Sequence, residues 1–247
     1  MTGHIVATGA GRAIMERRQD PLHDFILGLT GKDRPRVLFL GTATGDDPAY
    51  IISFYETYHA DRCLPFHLRL FSRSVADLRS FVLGFDVIHV GGGNTANMLD
   101  VWRRQGVDVI LREAWQAGAV LTGGSAGGIC WFRGGTTDSF GPPLQVLADG
   151  LGFLDGSFCA HYDADDERRP VYHAALMDGS LPAGYGVGDL VSLHFDGTRL
   201  ASVVCSEAGG LAVRVERSGA EIVETPMQVT ILAGSTGRDG STGPLGS

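Results

Sequence analysis

Three runs in this chain, Val37 to Gly41, Val87 to Val90 and Ala119 to Thr122, are apolar without polar alternation. A strand with one wet face alternates, whereas a strand covered on both faces does not. These runs therefore read as buried strands of a parallel sheet. His4 to Thr8 and Phe66 to Phe71 read as two further strands. Helical patterns fill the gaps at Pro21 to Leu29, Ala49 to His59, Val75 to Leu83, Thr95 to Arg104 and Val107 to Gln116. Repeated strand–helix order predicts an α/β fold, a mostly parallel sheet with helices on both faces. Ligands of such sheets sit beyond the carboxyl ends of the strands. After Val191 the rhythm shortens, and Val191 to Phe195, Arg199 to Cys205, Leu211 to Val215 and Gln228 to Leu232 read as short strands. They suggest a partly antiparallel C-terminal extension of the same domain. The expected organisation is one domain over residues 1–232 and a flexible Gly/Ser/Thr-rich tail over 233–247.

The run Ala119-Val120-Leu121 leads into Gly123-Gly124-Ser125-Ala126-Gly127. A serine between glycines, after a buried strand and before a helix, has the form of a nucleophile elbow. The glycines let the chain turn sharply without a Cβ clash. The turn also aims the Ala126 N–H at the place where an oxyanion would form. A second glycine cluster, Gly91-Gly92-Gly93-Asn94, follows the strand ending at Val90 and opens on the same edge. Asn94 or Thr95 can cap the next helix, but three consecutive glycines exceed what a cap requires and suggest close approach of backbone to ligand. Gly9-Ala10-Gly11 lacks the third glycine of a dinucleotide fingerprint and reads as a turn.

Composition excludes several function classes. A net charge of −8 argues against a nucleic-acid partner. No apolar run approaches the ~20 residues of a membrane span, and Met1-Thr2-Gly3-His4-Ile5 does not resemble a signal peptide. Cys63, Cys130, Cys159 and Cys205 are scattered and fit reduced core residues of a cytoplasmic protein. The eight histidines form no His-x-x-x-His or His-Glu-x-x-His pair, so no metal is expected. A homodimer stays open.

A serine nucleophile needs a base and a group to orient that base. His161, His173 and His194 are the candidates. His161 leads because it follows a strand end in Phe158-Cys159-Ala160-His161, whereas His173 falls in a helical pattern and His194 within a strand. Asp189, just before a strand, is the candidate acid. Asp163 to Glu167 lie too close to His161 in the chain and read as a solvated acidic turn. The order Ser125, His161, Asp189 differs from the nucleophile–acid–base order of α/β-hydrolases.

Four segments carry a family resemblance: Val90-Gly91-Gly92-Gly93-Asn94-Thr95, Gly123 to Gly127, His161-Tyr162 with Glu167-Arg168-Arg169, and Gly186 to Leu190. On these the chain resembles the peptidase E family of serine peptidases, which includes aspartyl dipeptidases and the related cyanophycinases. The resemblance covers roughly residues 36–200. It implies a class I glutamine amidotransferase-like fold with serine in place of the cysteine nucleophile. It further implies Ser125 as nucleophile, His161 as base, Asp189 as the orienting acid, and Gly93 and Ala126 as oxyanion donors. Arg169, with Arg168 as the fallback, corresponds to an arginine that receives the substrate carboxylate, and Asn94 and Asp138 fall on the substrate side. Gly124 departs from a bulky residue, Ala160 from a proline, and Asp189 is one methylene shorter than the glutamate of the aspartyl dipeptidases. The implied activity is hydrolysis of dipeptides or short peptides, with an N-terminal Asp preference, and without a cofactor. The alternatives are hydrolysis of β-aspartyl-arginine units and a non-catalytic amidotransferase-like binding domain.

Overall fold

Four of the helices begin where the sequence supplies a capping oxygen. In the computed structural model, which describes residues 3–11, 14, 16, 20–164 and 166–233, Asp20 accepts from Leu22 N at 2.9 Å and Asp47 from Ala49 N at 2.8 Å. Pro21 and Pro48 follow them at the first helical position, where a missing N–H costs nothing. The order is β1 (His4–Thr8), α1 (Pro21–Gly28), β2 (Arg36–Leu40), a 3-10 turn (Thr42–Thr44), α2 (Pro48–Thr57), β3 (Leu64–Leu68), α3 (Leu78–Val82) and β4 (Val87–Val90). Then come α4 (Thr95–Gln105), α5 (Val107–Gln116), β5 (Val120–Gly124), α6 (Ala126–Ile129), β6 (Gly134–Thr137), β7 (Gln145–Leu147), β8 (Ser157–Ala160) and α7 (Arg168–Asp178). The chain continues through β9 (Gly184–Val187), β10 (Val191–Asp196), β11 (Arg199–Cys205), β12 (Ala212–Ser218), β13 (Glu221–Pro226) and β14 (Thr230–Ile231). Apart from Ala233, the expected tail lies outside the described residues.

The strands form two mixed sheets of an α/β fold. One has eight strands in the order β14-β11-β10-β1-β5-β4-β2-β3. Its β1, β5, β4, β2 and β3 run parallel, β10 and β11 join antiparallel, and β14 lies parallel to β11. The other has six strands in the order β13-β12-β9-β8-β6-β7, with only β9–β8 and β8–β6 parallel. This corrects the expectation of one sheet with a C-terminal extension: β10, β11 and β14 extend the first sheet, but β12 belongs to the second. The β3 strand also ends earlier than expected, because the chain turns where the buried Asp46 carboxylate accepts from the N–H groups of Leu70 (2.5 Å) and Phe71 (2.8 Å).

Strand residues alternate between two cores, as double coverage requires. Val6, Val37, Phe39, Val87 and Val120 face one side, packed with Ile26 of α1 and Phe54 of α2. Ile5, Leu38, Leu40, Ile88, Val90 and Leu121 face the other, packed with Leu99 and Trp102 of α4 and Leu111 of α5. Phe39 stacks on Phe54 with centroids 4.8 Å apart. Phe39→Ala is therefore expected to lower stability by about 3–5 kcal/mol, read from urea unfolding.

Two histidines titrate far from their ordinary range. Burial pushes the His89 imidazole down to about 3, and burial with His4 alongside pushes His194 down to about 4. Their neutral rings are bonded to Tyr58 Oη (3.1 Å) and to Ser202 Oγ and His4 Nδ1 (3.1 Å each). An unfolded chain takes up these protons at about 6.5, before the folded one does. Stability from these sites is complete above that pH and is lost as the pH falls towards 4. The urea midpoint should decline between about pH 7 and about pH 4.5, and His194→Gln should make the decline shallower.

Candidate active site

The parallel strands β1, β2, β4 and β5 deliver their carboxyl ends to one edge. There the chain leaves β5 through Ser125, whose backbone adopts φ 54° and ψ −117°. A non-glycine residue in this region costs about 1–3 kcal/mol and persists only where its surroundings over-determine it. Here Ser125 N–H donates to Thr8 O at 3.1 Å, and Ser125 O accepts from Gly128 N (2.8 Å) and Ile129 N (2.9 Å) at the start of α6. Gly124 departs from a bulky residue because the Ala10–Gly11 backbone occupies the space that a Cβ would need.

The Ser125 side chain does not cap α6. Its Oγ lies 2.9 Å from His161 Nε2, and His161 Nδ1 lies 2.6 Å from Asp189 Oδ1. A carboxylate only accepts, so Nδ1 carries the proton towards Asp189. In the neutral ring Nε2 is then the acceptor, and the serine hydroxyl donates to it. His161 also has a positive φ, 56°. The second sheet explains the short acid contact. Parallel β8 and β9 pair with Ala160 opposite Val187, so His161 and Gly188 leave the sheet side by side and Asp189 follows. At that separation an aspartate reaches the ring without the extra methylene of a glutamate. The imidazole and carboxylate are 24% and 18% exposed, enough for a substrate to reach them.

The glycine cluster leaves one N–H open. Gly91 N donates to Leu40 O (3.0 Å), Gly92 N to Tyr50 Oη (3.2 Å) and Asn94 N to Ala43 O (2.8 Å). Burial raises the Tyr50 pKa and keeps its hydroxyl protonated. Among the described residues no acceptor takes the Gly93 N–H or the Ala126 N–H. Gly93 has φ 134°, and a Cβ there would come within 2.5 Å of Ala43 O, so only glycine fits. Gly92 packs beside Ser125, a Cβ on it standing 3.5 Å from Ser125 Cβ.

The remaining expected residues divide. Asn94 caps α4 through Asn97 N (2.8 Å) and its amide donates to Ser139 O at 2.8 Å. Next to Ser139, Asp138 approaches Arg168 Nη2 at 3.9 Å, with the Arg168 side chain only 11% exposed. Asn94, Asp138 and Arg168 thus lie along one rim that starts at the glycine cluster. Arg169 lies elsewhere: its Nε is 3.3 Å from Glu224 Oε1, and its guanidinium covers the Tyr162 ring at 4.9 Å. Arg169, the expected substrate arginine, thus faces away from the rim that holds Arg168, since successive residues of α7 point about 100° apart. His173 bonds Tyr162 Oη and Glu224, and His194 bonds His4 and Ser202; His161 is the histidine bonded to Ser125.

A hollow of about 520 Å³ borders Asp189 and is lined in part by Asp163, Leu190, Glu207 and Gly209. Among the described residues no group of three or more His, Cys, Asp or Glu side chains is arranged to hold a metal ion, and no helix is long and apolar enough to cross a membrane. Sequence reasoning missed Tyr50 and Glu224, which stand far from every motif in the chain.

Comparison with known proteins shows the family and the fold. The model of peptidase family S51 matches residues 5–203. The chain is 46% identical over 228 residues to YgaJ of Bacillus subtilis (strain 168), described as an uncharacterized peptidase, covering 92% of this chain and 98% of that one. Two solved structures share the fold at low identity. A peptidase from an acI-B1 Actinobacterium has a TM-score of 0.66 at 18% identity, over 93% of this chain and 95% of that one. A candidate peptidase E protein from Listeria monocytogenes EGD-e has a TM-score of 0.58 at 17% identity, over 92% of this chain and 100% of that one. The chain belongs to peptidase family S51.

Proposed function

We propose that this peptidase is a serine exopeptidase of dipeptides and short peptides that works through Ser125, His161 and Asp189. The observation that carries the reading is the single imidazole bonded to a strained serine on one side and a carboxylate on the other. Ser125 Oγ attacks the scissile carbonyl as His161 Nε2 takes its proton. The Gly93 and Ala126 N–H groups hold the oxyanion. His161 then protonates the leaving amine, the acyl group remains on Ser125, and water activated by the same ring releases the acid. Asp189 fixes the tautomer and offsets the imidazolium charge. The layout, a nucleophile after a central parallel strand with the base arriving from another sheet, fits a class I glutamine amidotransferase-like arrangement. Four buried, unbridged cysteines fit a reducing, cytoplasmic setting.

On the substrate side, Arg168 is the better carboxylate receptor. It belongs to the rim next to Gly93, and its fork suits a bidentate carboxylate such as an N-terminal aspartate side chain. One observation favours a second reading: the acidic hollow beside Asp189 suits a guanidinium, as hydrolysis of β-aspartyl-arginine would require.

A panel of Asp-first and neutral dipeptides plus β-aspartyl-arginine separates these readings. Ser125→Ala should lower kcat on the order of 10⁶-fold and Asp189→Asn on the order of 10⁴-fold, with the fold intact by circular dichroism. Turnover near wild type in either variant would remove the triad. Arg168→Met should raise KM for Asp-first dipeptides about tenfold or more while neutral dipeptides change little, since losing a charge-assisted pair costs about 1.5–3 kcal/mol. Arg169→Met should leave that discrimination untouched. The opposite pattern would restore Arg169 to the substrate site.

A further inference from the structure

The residue after the base has no part in the chemistry described so far, yet more is built around it than around any other side chain near the site. Tyr162 is 1% exposed. Its N–H donates to Val187 O at 3.1 Å, the last residue of β9 before the turn to Asp189. Its ring lies flat on Gly186, where a Cβ would come within 2.6–2.7 Å of three ring atoms. On its other side it meets Tyr172 of α7 edge-on, with centroids 6.1 Å apart. Burial, and next Glu224, raise the Tyr162 pKa, so the phenol stays protonated and acts as a donor.

The hydroxyl is anchored as firmly as the ring. Tyr162 Oη donates to Glu224 Oε1 on β13 at 2.7 Å and lies 2.9 Å from His173 Nε2 on α7. That same nitrogen is 2.9 Å from Glu224 Oε1, and Arg169 approaches the carboxylate from above the ring. A phenylalanine would fill the same apolar space among Cys159, Leu176, Val213 and Val215. What the hydroxyl and its two polar partners add is orientation. That orientation is transmitted directly to His161, whose left-handed backbone precedes Tyr162 and needs external constraint to persist.

We propose that Tyr162 is a positioning residue of the reaction, its hydroxyl anchored by Glu224 and His173, its ring pinning the His161 turn to the strand that leads to Asp189. It acts through His161 and does not touch substrate, and the inference rests on the Ser125–His161–Asp189 reading above. Arg169 thereby gains a role as the cover of this anchor.

The test uses the full chain and the panel peptide cleaved fastest. Tyr162→Phe keeps the ring and removes the anchor. It should lower kcat about tenfold with KM changed less than about twofold, because a ~1 Å displacement of catalytic groups can cost about a hundredfold. The proton NMR resonance of the His161 Nδ1–H, identified by its absence from Asp189→Asn, should shift or broaden. Glu224→Leu, which removes the acceptor of the Tyr162 hydroxyl, should reproduce both effects and carries the test if Tyr162→Phe does not fold. Wild-type kcat in a folded anchor variant, a change confined to KM, or an unmoved Nδ1–H resonance overturns the proposal. Full activity of Asp189→Asn removes the triad and this inference with it. Inactive Asp189→Asn beside fully active Tyr162→Phe leaves the triad standing and removes only the anchor.

Discussion

Backbone crowding at the carboxyl end of β5 governs the rest of the site. This strand lies between β1 and β4, and the turn that leaves it must fit against Ala10 on one side and Val90 on the other. Side chains are shut out, and Ser125 is held with a positive φ by Thr8 O and the first turn of α6. The strain keeps the hydroxyl away from helix capping, the usual use of a serine before a helix. With that alternative closed, the serine hydroxyl donates to His161 Nε2.

The second sheet, as far as the site is concerned, brings an imidazole and a carboxylate to that hydroxyl. Neighbouring parallel strands in register emit consecutive loops from the same edge, so β8 and β9 deliver His161 and Asp189 together. Behind them, one face of β9 is stripped of side chains at Gly184 and Gly186, against Tyr172 and Tyr162, and Gly188 just beyond the strand meets Asp163. The close approach of these loops depends on that bare face as much as on the charged pair it carries.

The parts of this arrangement that sequence reveals are those with local signals. The apolar runs of β2, β4 and β5, the capping residue Asn94, and the Gly-Ser-Ala-Gly turn each announce themselves within a few residues. Of the second sheet, only β12 and the end of β8 do so. Gly134–Thr137 and Gly184–Val187 are half glycine, with low strand propensity, and β7 has three residues. Their identity as strands comes from partners distant in the chain. Glu224 illustrates the same limit, since 62 positions separate it from Tyr162. The two arginines were legible as a pair but not in their different partners, Asp138 and Glu224, which depend on how α7 is rotated over β12 and β13.

Ser125, Gly93 and Ala126 follow strands of the eight-stranded sheet, whereas His161 follows a strand of the six-stranded one. The reaction centre therefore straddles a seam, and one hydrogen bond between Ser125 and His161 spans it. A slip of the two sheets by a fraction of an ångström would break that contact while each sheet kept its strand pairing and most of its packed interior. Heat inactivation of such an enzyme runs ahead of the loss of its secondary structure, and turnover becomes the most sensitive gauge of how well the two halves are seated.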